Sequence, residues 1–432
     1  MKRPAPPQFI AIDALRIGMV IHLDGGWMSH PFALNTFRIV SADQIETLRR
    51  LGMTRVRWWP RSAAVESPGS ADSSGSHAAA TTQAVAETLR AGATAPDPGG
   101  SATTAGERDA DRLVWQRCQR RFRAAHRSCK QAMEQVAMKP ELARSQTEAL
   151  AQGLLETMLG AEEVCVRLMV DPTEHRIANH ALNVMVLSML MGRSFGLSEV
   201  ELLDLGVGAM LHDVGKSDLP LGLRHRRDEF SAAEHRDYEE HVALGLAHAR
   251  RMGLSSGATL VMAQHHELAD GSGFPLRLTA DRMSAAARIV AIVNRYDNVC
   301  NPPLQARGLT PHEAVSSLFT HGKEKYETAL LNGFIRMIGV YPPGSTVQLT
   351  DDRHALVLSA HSGRPLKPQV LVHAPGTPRE AAVPLDLAHT DGLGIRRSIR
   401  PSQLPPAALE YLAPRERVSY FFEPAPADRA AA

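Results

Sequence analysis

His212-Asp213-Val214-Gly215-Lys216 closes an apolar run that extends from Leu202 to Leu211, where an imidazole beside a carboxylate needs a physical reason. Burying such a pair costs several kcal/mol unless something positive neutralises it. A divalent cation is the simplest neutralising partner, so His212 and Asp213 read as metal ligands. Two adjacent residues cannot complete a site, and helical stretches on either side supply more donors. His180 opens the segment Ala181 to Met191, whose Leu, Val and Met content marks a buried helix. His241 follows Glu239-Glu240 on a helix expected to begin at Ser231, with Glu234 three residues on as in a capping box. His265-His266-Glu267 ends an apolar helix and runs into Asp270-Gly271-Ser272-Gly273-Phe274-Pro275, a glycine-rich turn. Each histidine lies on a different element, as a site in a helical bundle core requires.

Nineteen histidines are present, and any one alone is more often a core or surface residue than a ligand. The joint pattern carries more weight: one histidine, then His-Asp with a lysine a turn on, then another histidine, then HHELADGSGFP at 265–275. On those residues, positions 175 to 340 resemble an HD-GYP domain, a branch of the HD metal-dependent phosphohydrolases associated with cleavage of cyclic di-GMP. Phe274 stands where that family more often has Tyr.

The resemblance implies a mainly α chain: an HD-type helical bundle with a small β-rich N-terminal domain and a short β-rich C-terminal extension. It implies two divalent ions bridged by Asp213, with His180 and His212 on one and His241, His265 and His266 on the other. Imidazole and carboxylate ligands suit iron or manganese and also zinc; iron or manganese is expected. Lys216, one turn after Asp213, is placed to bind a phosphate oxygen or help the leaving group, and Gly271, Gly273, Phe274 and Pro275 are expected to contact substrate. Glu267 and Asp270 are expected to orient the histidines, as metal-bound imidazoles usually require. The chain departs from the family pattern at three places. Asn294 begins an Asn-Arg-Tyr-Asp run where the family has a ligand Asp, and Asp297 is the nearest carboxylate to compensate. Asn301-Pro302-Pro303 occupies a stretch that often carries phosphate-gripping Arg and Lys, and Arg176 replaces a Glu that holds a third ion in some members.

With 432 residues, two or three domains are expected. Residues 8–60 read as short strands, with a helix over 42–51 capped by Ser41. They resemble the small domain of unknown function that precedes HD-GYP domains in some bacterial proteins, with Leu15-Arg16-Ile17-Gly18-Met19 and Trp27 among the matching positions. Its aromatic residues Trp27, Phe32, Phe37, Trp58 and Trp59 read as core. Residues 61–108 are rich in Ala, Ser, Gly, Thr and Pro and read as a linker that cannot offset its ordering entropy by burial. Residues 109–160 form a helical connector divided at Pro140, a candidate dimerisation hairpin. Its basic cluster, Arg117, Arg120, Arg121, Arg123 and Arg127, reads as a solvated helix face. The catalytic unit spans 161–340, and 341–424 alternate as a small sheet.

The net charge of +2 implies no surface for a nucleic-acid polymer. Cys118, Cys129, Cys165 and Cys300 show no C-x-x-C spacing and read as reduced thiols. Neither a signal peptide nor a membrane span is visible, so a cytoplasmic protein is expected. Attack on phosphorus at neutral pH needs a nucleophilic oxygen, which a divalent cation provides by lowering the pKa of bound water to about 7. The expected activity is therefore hydrolysis of cyclic di-GMP to pGpG and on to GMP. The alternative is a catalytically weak sensor that binds the same cyclic dinucleotide and signals to a partner protein through residues 8–60.

Overall fold

The computed structural model describes residues 8–22, 36–39, 45–46, 48–49, 54–58, 104–161, 163–170, 175–225, 229–302 and 308–424. Trp27, Phe32, Trp59, the Phe37 side chain, most of the 42–51 helix and positions 61–103 lie outside that set. At the N-terminal end, β1 (Gln8–Ala11), β2 (Val20–His22), β3 (Thr36–Arg38) and β4 (Arg55–Trp58) form one sheet in the order β1-β4-β2-β3. Ile12, Leu15, Ile21, Ile39, Leu48 and Val56 make its core, with Trp58 packed against them.

Eleven helices are described thereafter. The first, α1 (Thr104–Gln135), already includes residues 104–108, which the composition had assigned to a linker. Pro140 opens α2 (Pro140–Leu159). Then come α3 (Arg176–Ser194), α4 (Glu199–Leu211), α5 (Ala232–Glu239), α6 (His241–Met252) and α7 (Ser256–Gln264). The bundle is completed by α8 (Ala285–Cys300), α9 (Pro311–His321) and α10 (Thr328–Ile338), and α11 (Pro406–Leu412) lies near the C-terminus. Starts are fixed by local chemistry. Ser198, Ser231 and Thr310 each form a capping box with Glu201, Glu234 and Glu313, satisfying amides that the first helical turn leaves without partners. The helix expected to carry His241 from Ser231 is in fact two, because the chain turns at Glu240 and His241 begins α6.

From Ala181 to Gly192 every residue of α3 is buried. That is why it shows no polar stripe: α1, α4, α8 and the C-terminal strand cover it on all sides. The connector α1–α2 belongs to the same core, since Phe122, Leu150 and Leu154 are buried in one cluster with Met185, Val290 and Phe422.

The second sheet joins distant parts of the chain. Strand β5 (Val164–Met169), which lies within a stretch read from sequence as helical bundle, sits between β7 (His354–His361) and β11 (Ser419–Pro424). The sheet continues through β6 (Thr346–Leu349) to β10 (Ile395–Ile399), while β8 (Gln369–Val372) pairs β7 and the short β9 (Leu385–Asp386). The β-branched and alternating run Val164-Cys165-Val166-Arg167-Leu168-Met169 was the available signal for β5. Across the β5–β11 pair, the Arg167 guanidinium donates to the Glu423 carboxylate in a buried ion pair.

Candidate metal centre

Four elements deliver five histidines to one point. His180 stands one turn into α3, His212 follows the last residue of α4, His241 begins α6, and His265 and His266 follow α7. Gly215 lets the Asp213 turn approach α6: a Cβ there would lie 2.1 Å from the His241 carbonyl oxygen and 2.4 Å from the Gly245 nitrogen. Gly273 does the same for the loop after His266, where a Cβ would come within 2.5 Å of the His266 and Leu268 backbone.

Three rings are anchored identically. The Nδ1 of His212 donates to the Ala209 carbonyl at 2.7 Å, that of His241 to Tyr238 at 2.6 Å, and that of His265 to Met262 at 2.7 Å. A carbonyl only accepts, so each Nδ1 carries a proton, and the neutral tautomer this fixes turns its Nε2 lone pair to the site. His180 is held instead by a carboxylate, its Nδ1 lying 2.6 Å from Asp297 Oδ2.

Asp213 divides the site. Its Oδ2 is 3.6 Å from His180 Nε2 and 3.4 Å from His212 Nε2, while Oδ1 is 3.6 Å from His241 Nε2 and 3.5 Å from His265 Nε2. Two groups of donor atoms result, His180-His212-Asp213 and Asp213-His241-His265-His266, and within each all donors lie within 4.8 Å of one another. These residues fit divalent cations by their geometry and donor chemistry. Nε2 of His180 and His212 are 3.3 Å apart, and those of His241 and His265 are 3.4 Å apart. For His241 and His265, with Nδ1 of each carrying the proton in the neutral ring, the pair sets lone pair against lone pair, which a shared cation reconciles. Asp213 Oδ1 and His266 Nε2 are buried with no hydrogen-bond partner, which in a native site calls for a ligand.

The titration states favour cation binding. Burial drives His212 down to about 4 and His241 to about 3, outweighing the pull of Asp213, and burial also holds His266 well below its usual range. All three are therefore neutral donors at physiological pH. For Asp213, burial pushes upward but Lys216 and His212 overcome it and keep the carboxylate ionised. Burial would likewise lower His180, yet Asp213 and Asp297 raise it to about 9.

The remaining expected residues are placed as follows. Lys216 Nζ donates to Asp213 Oδ2 at 2.6 Å and lies 5.2 Å from the centre of the Tyr238 ring. Gly271, Gly273, Phe274 and Pro275 line the same cleft of about 2430 Å³, and the Phe274 ring stacks on His266 with centroids 4.4 Å apart. Asn294 lines the cleft as well, its Oδ1 accepting from Asn298 Nδ2 at 2.6 Å.

Three expectations are corrected. Asp297 does not stand in for Asn294, because its Oδ2 is taken by His180 and its Oδ1 accepts from Asn183 at 2.7 Å and Asn301 at 2.9 Å. Glu267 orients no histidine; it is fully buried and accepts the backbone N–H groups of Leu276 at 2.6 Å and Leu278 at 2.8 Å, shaping the loop. Asp270 caps its own turn through Ser272. Asp297 as the positioning group of His180, and Tyr238 beside Lys216, were missed. Both contacts cross between elements, so spacing along the chain carries no trace of them.

The fold and this centre define an HD-type metal-binding domain. The sequence matches the HD domain family over residues 163–330 and a domain of unknown function, DUF3391, over residues 8–147, so the second match runs past the small sheet into α2. Residues 163–330 thus carry an HD domain, as the resemblance to HD-GYP proteins implies. It is 25% identical over 368 residues to the cyclic di-GMP phosphodiesterase PA4108 of Pseudomonas aeruginosa, covering 84% of each chain. It is 21% identical to the cyclic di-GMP phosphodiesterase PdeB of Borreliella burgdorferi over 44% of this chain and 50% of that one. Among solved structures, Bd1817 of Bdellovibrio bacteriovorus, described as an HDG"Y"P protein, aligns with a TM-score of 0.42 at 17% identity, covering 76% of this chain and 98% of that one. Among the described residues, no helix is long and apolar enough to cross a membrane.

Proposed function

We propose that the chain is a metal-dependent phosphodiesterase that hydrolyses cyclic di-GMP to the linear dinucleotide pGpG, with GMP as a further product. The observation that carries this reading is the Asp213 carboxylate with two sets of Nε2 atoms facing its two oxygens at the floor of a cleft. The names of the relatives support the same substrate class. Two divalent ions, iron or manganese, would be held by His180, His212 and Asp213 and by Asp213, His241, His265 and His266. Bound there, they would supply Lewis acidity toward a phosphodiester and a nucleophilic oxygen at neutral pH.

The protein's own groups do the rest. Burial would lower the Lys216 pKa, but Asp213 and Tyr238 outweigh it and hold it above its ordinary value, so its ammonium stays charged and stabilises phosphate oxygens electrostatically rather than giving up a proton. Tyr238 walls off that ammonium, and Phe274 shields His266 from water. Asn294 offers a carbonyl oxygen without charge, which would weaken the hold on the first ion. An intracellular messenger as substrate would place the protein in the cytoplasm, with its four buried cysteines reduced. Docking of a signalling partner would fall to residues 8–60. Leu113 and Trp115, exposed on α1, would seat a second copy, and light scattering reads that association directly.

The test is incubation of purified protein, loaded anaerobically with iron or manganese, with cyclic di-GMP. Turnover to pGpG is expected; binding without turnover would sink the enzyme reading. In the same assay Asn294→Asp should raise metal affinity and rate by about tenfold or more, the scale of losing or gaining support at a metal. Unchanged metal content would refute the account of Asn294.

A further inference from the structure

Arg176 is a cation in the cleft that the metal centre does not use. It is the first residue of α3, one turn before His180, so both side chains stand on one helix face. It lines the cleft together with His180, Lys216 and Asn294. Burial and the neighbouring Arg417 both push its guanidinium down from its ordinary pKa, and Asp213 opposes them. Its Nη2 meets the ring nitrogens of His225, with Nδ1 at 3.0 Å. Among the described residues no carboxylate lies within ion-pair distance of it.

A guanidinium carries five donors in a planar fork, and one imidazole occupies a single edge of it. A half-buried cation near a second cation, with no carboxylate among the described residues within ion-pair distance, gains when an anion joins it. The anion it fits best is a phosphate group, whose two non-bridging oxygens match the fork. A cyclic dinucleotide carries two phosphodiesters, and only one can occupy Asp213 and Lys216 at a time.

We propose that Arg176 is the subsite for the phosphodiester that is not being cleaved, and so selects cyclic dinucleotides over single phosphodiesters. The inference rests on the phosphodiesterase reading above. The role is binding and specificity, since Arg176 belongs to neither group of candidate ligands.

Steady-state kinetics on the manganese-loaded full chain test it, with cyclic di-GMP and bis(4-nitrophenyl) phosphate as substrates and metal content measured alongside. Arg176→Gln should raise KM for cyclic di-GMP by about tenfold to a hundredfold, the worth of a charge-assisted hydrogen bond. Metal content and KM for the single diester should not move, and Arg176→Lys should recover part of the loss. An unchanged KM for cyclic di-GMP, or equal losses on both substrates, would overturn the proposal while leaving the enzyme reading intact. Should cyclic di-GMP bind without turnover, its dissociation constant decides: weakened in Arg176→Gln, the subsite stands although the enzyme reading falls. No binding to the unaltered chain removes both.

Discussion

His180 is the residue on which the two halves of the site's chemistry meet. It is wedged between Asp213 and Asp297, and these carboxylates hold its pKa at about 9 against the opposing effect of burial. A histidine with a raised folded-state pKa is protonated below that value, whereas a metal takes only the neutral ring. Cation binding at pH 7.5 must therefore expel about one proton from His180, and apparent affinity should rise with pH until it levels off near 9. A pH-indicator dye in weak buffer during manganese titration reads this directly; no proton release at pH 7.5 would show that His180 is not displaced from its acid form. His212 works in the opposite sense. Its folded pKa of about 4 lies below the ordinary value of about 6.5, so the stability its neutral form contributes is complete above 6.5 and is lost as pH falls toward 4. The acid limit of the fold and the alkaline limit of metal affinity thus come from two rings whose Nε2 atoms are 3.3 Å apart.

At the scale of elements, strand β11 is tied to the carboxylate that positions His180. Asn183 on α3 donates to Asp297 and to the Val418 carbonyl, and its oxygen accepts from the Tyr420 amide at 2.8 Å. Asn301, just past α8, donates to the same carboxylate and the same carbonyl, and accepts from the Val418 amide. Two amides thereby link β11 and the residue before it to His180 through one buried acid. Asn183→Ala leaves the Tyr420 amide without its partner and Asp297 short of one, which should cost roughly 3 kcal/mol in stability. The same change should lower metal affinity, because Asp297 then holds His180 less firmly. Denaturant unfolding and metal titration of the variant check both; a loss of stability with metal affinity unchanged would uncouple β11 from the site.

For the whole molecule, the core is continuous from α1 to β11. Cys118 and Phe122 of α1 are buried with Phe421 and Phe422 of β11, and the Phe122 and Phe421 rings meet edge to face at 6.0 Å. Residues 161–432 produced alone would expose the faces of α3, α4, α6 and β11 that α1 and α2 cover. They should lack a cooperative unfolding transition and lose near-ultraviolet dichroism; sharp, two-state melting of that fragment would show that the catalytic bundle is self-sufficient. The hairpin read from sequence as a connector is thus a wall of the domain. Its apolar stripe was legible at Cys118, Phe122 and Ala125, but a stripe reports only that something covers it, not what.

By itself the sequence determined the parts of this protein whose causes are local. Helix starts were legible at Ser231 because a cap and its glutamate sit three residues apart, and the donor set was legible because imidazole and carboxylate beside apolar runs have few other reasons to be there. Only the tertiary structure decided which oxygen of Asp213 faces which histidines, that Asp297 serves His180, and that β5 lies between β7 and β11. Those outcomes depend on contacts such as Arg167 with Glu423 and His180 with Asp297, made between residues far apart in the chain. Their energy arises when helices and strands pack together and leaves no period or spacing in the chain to read.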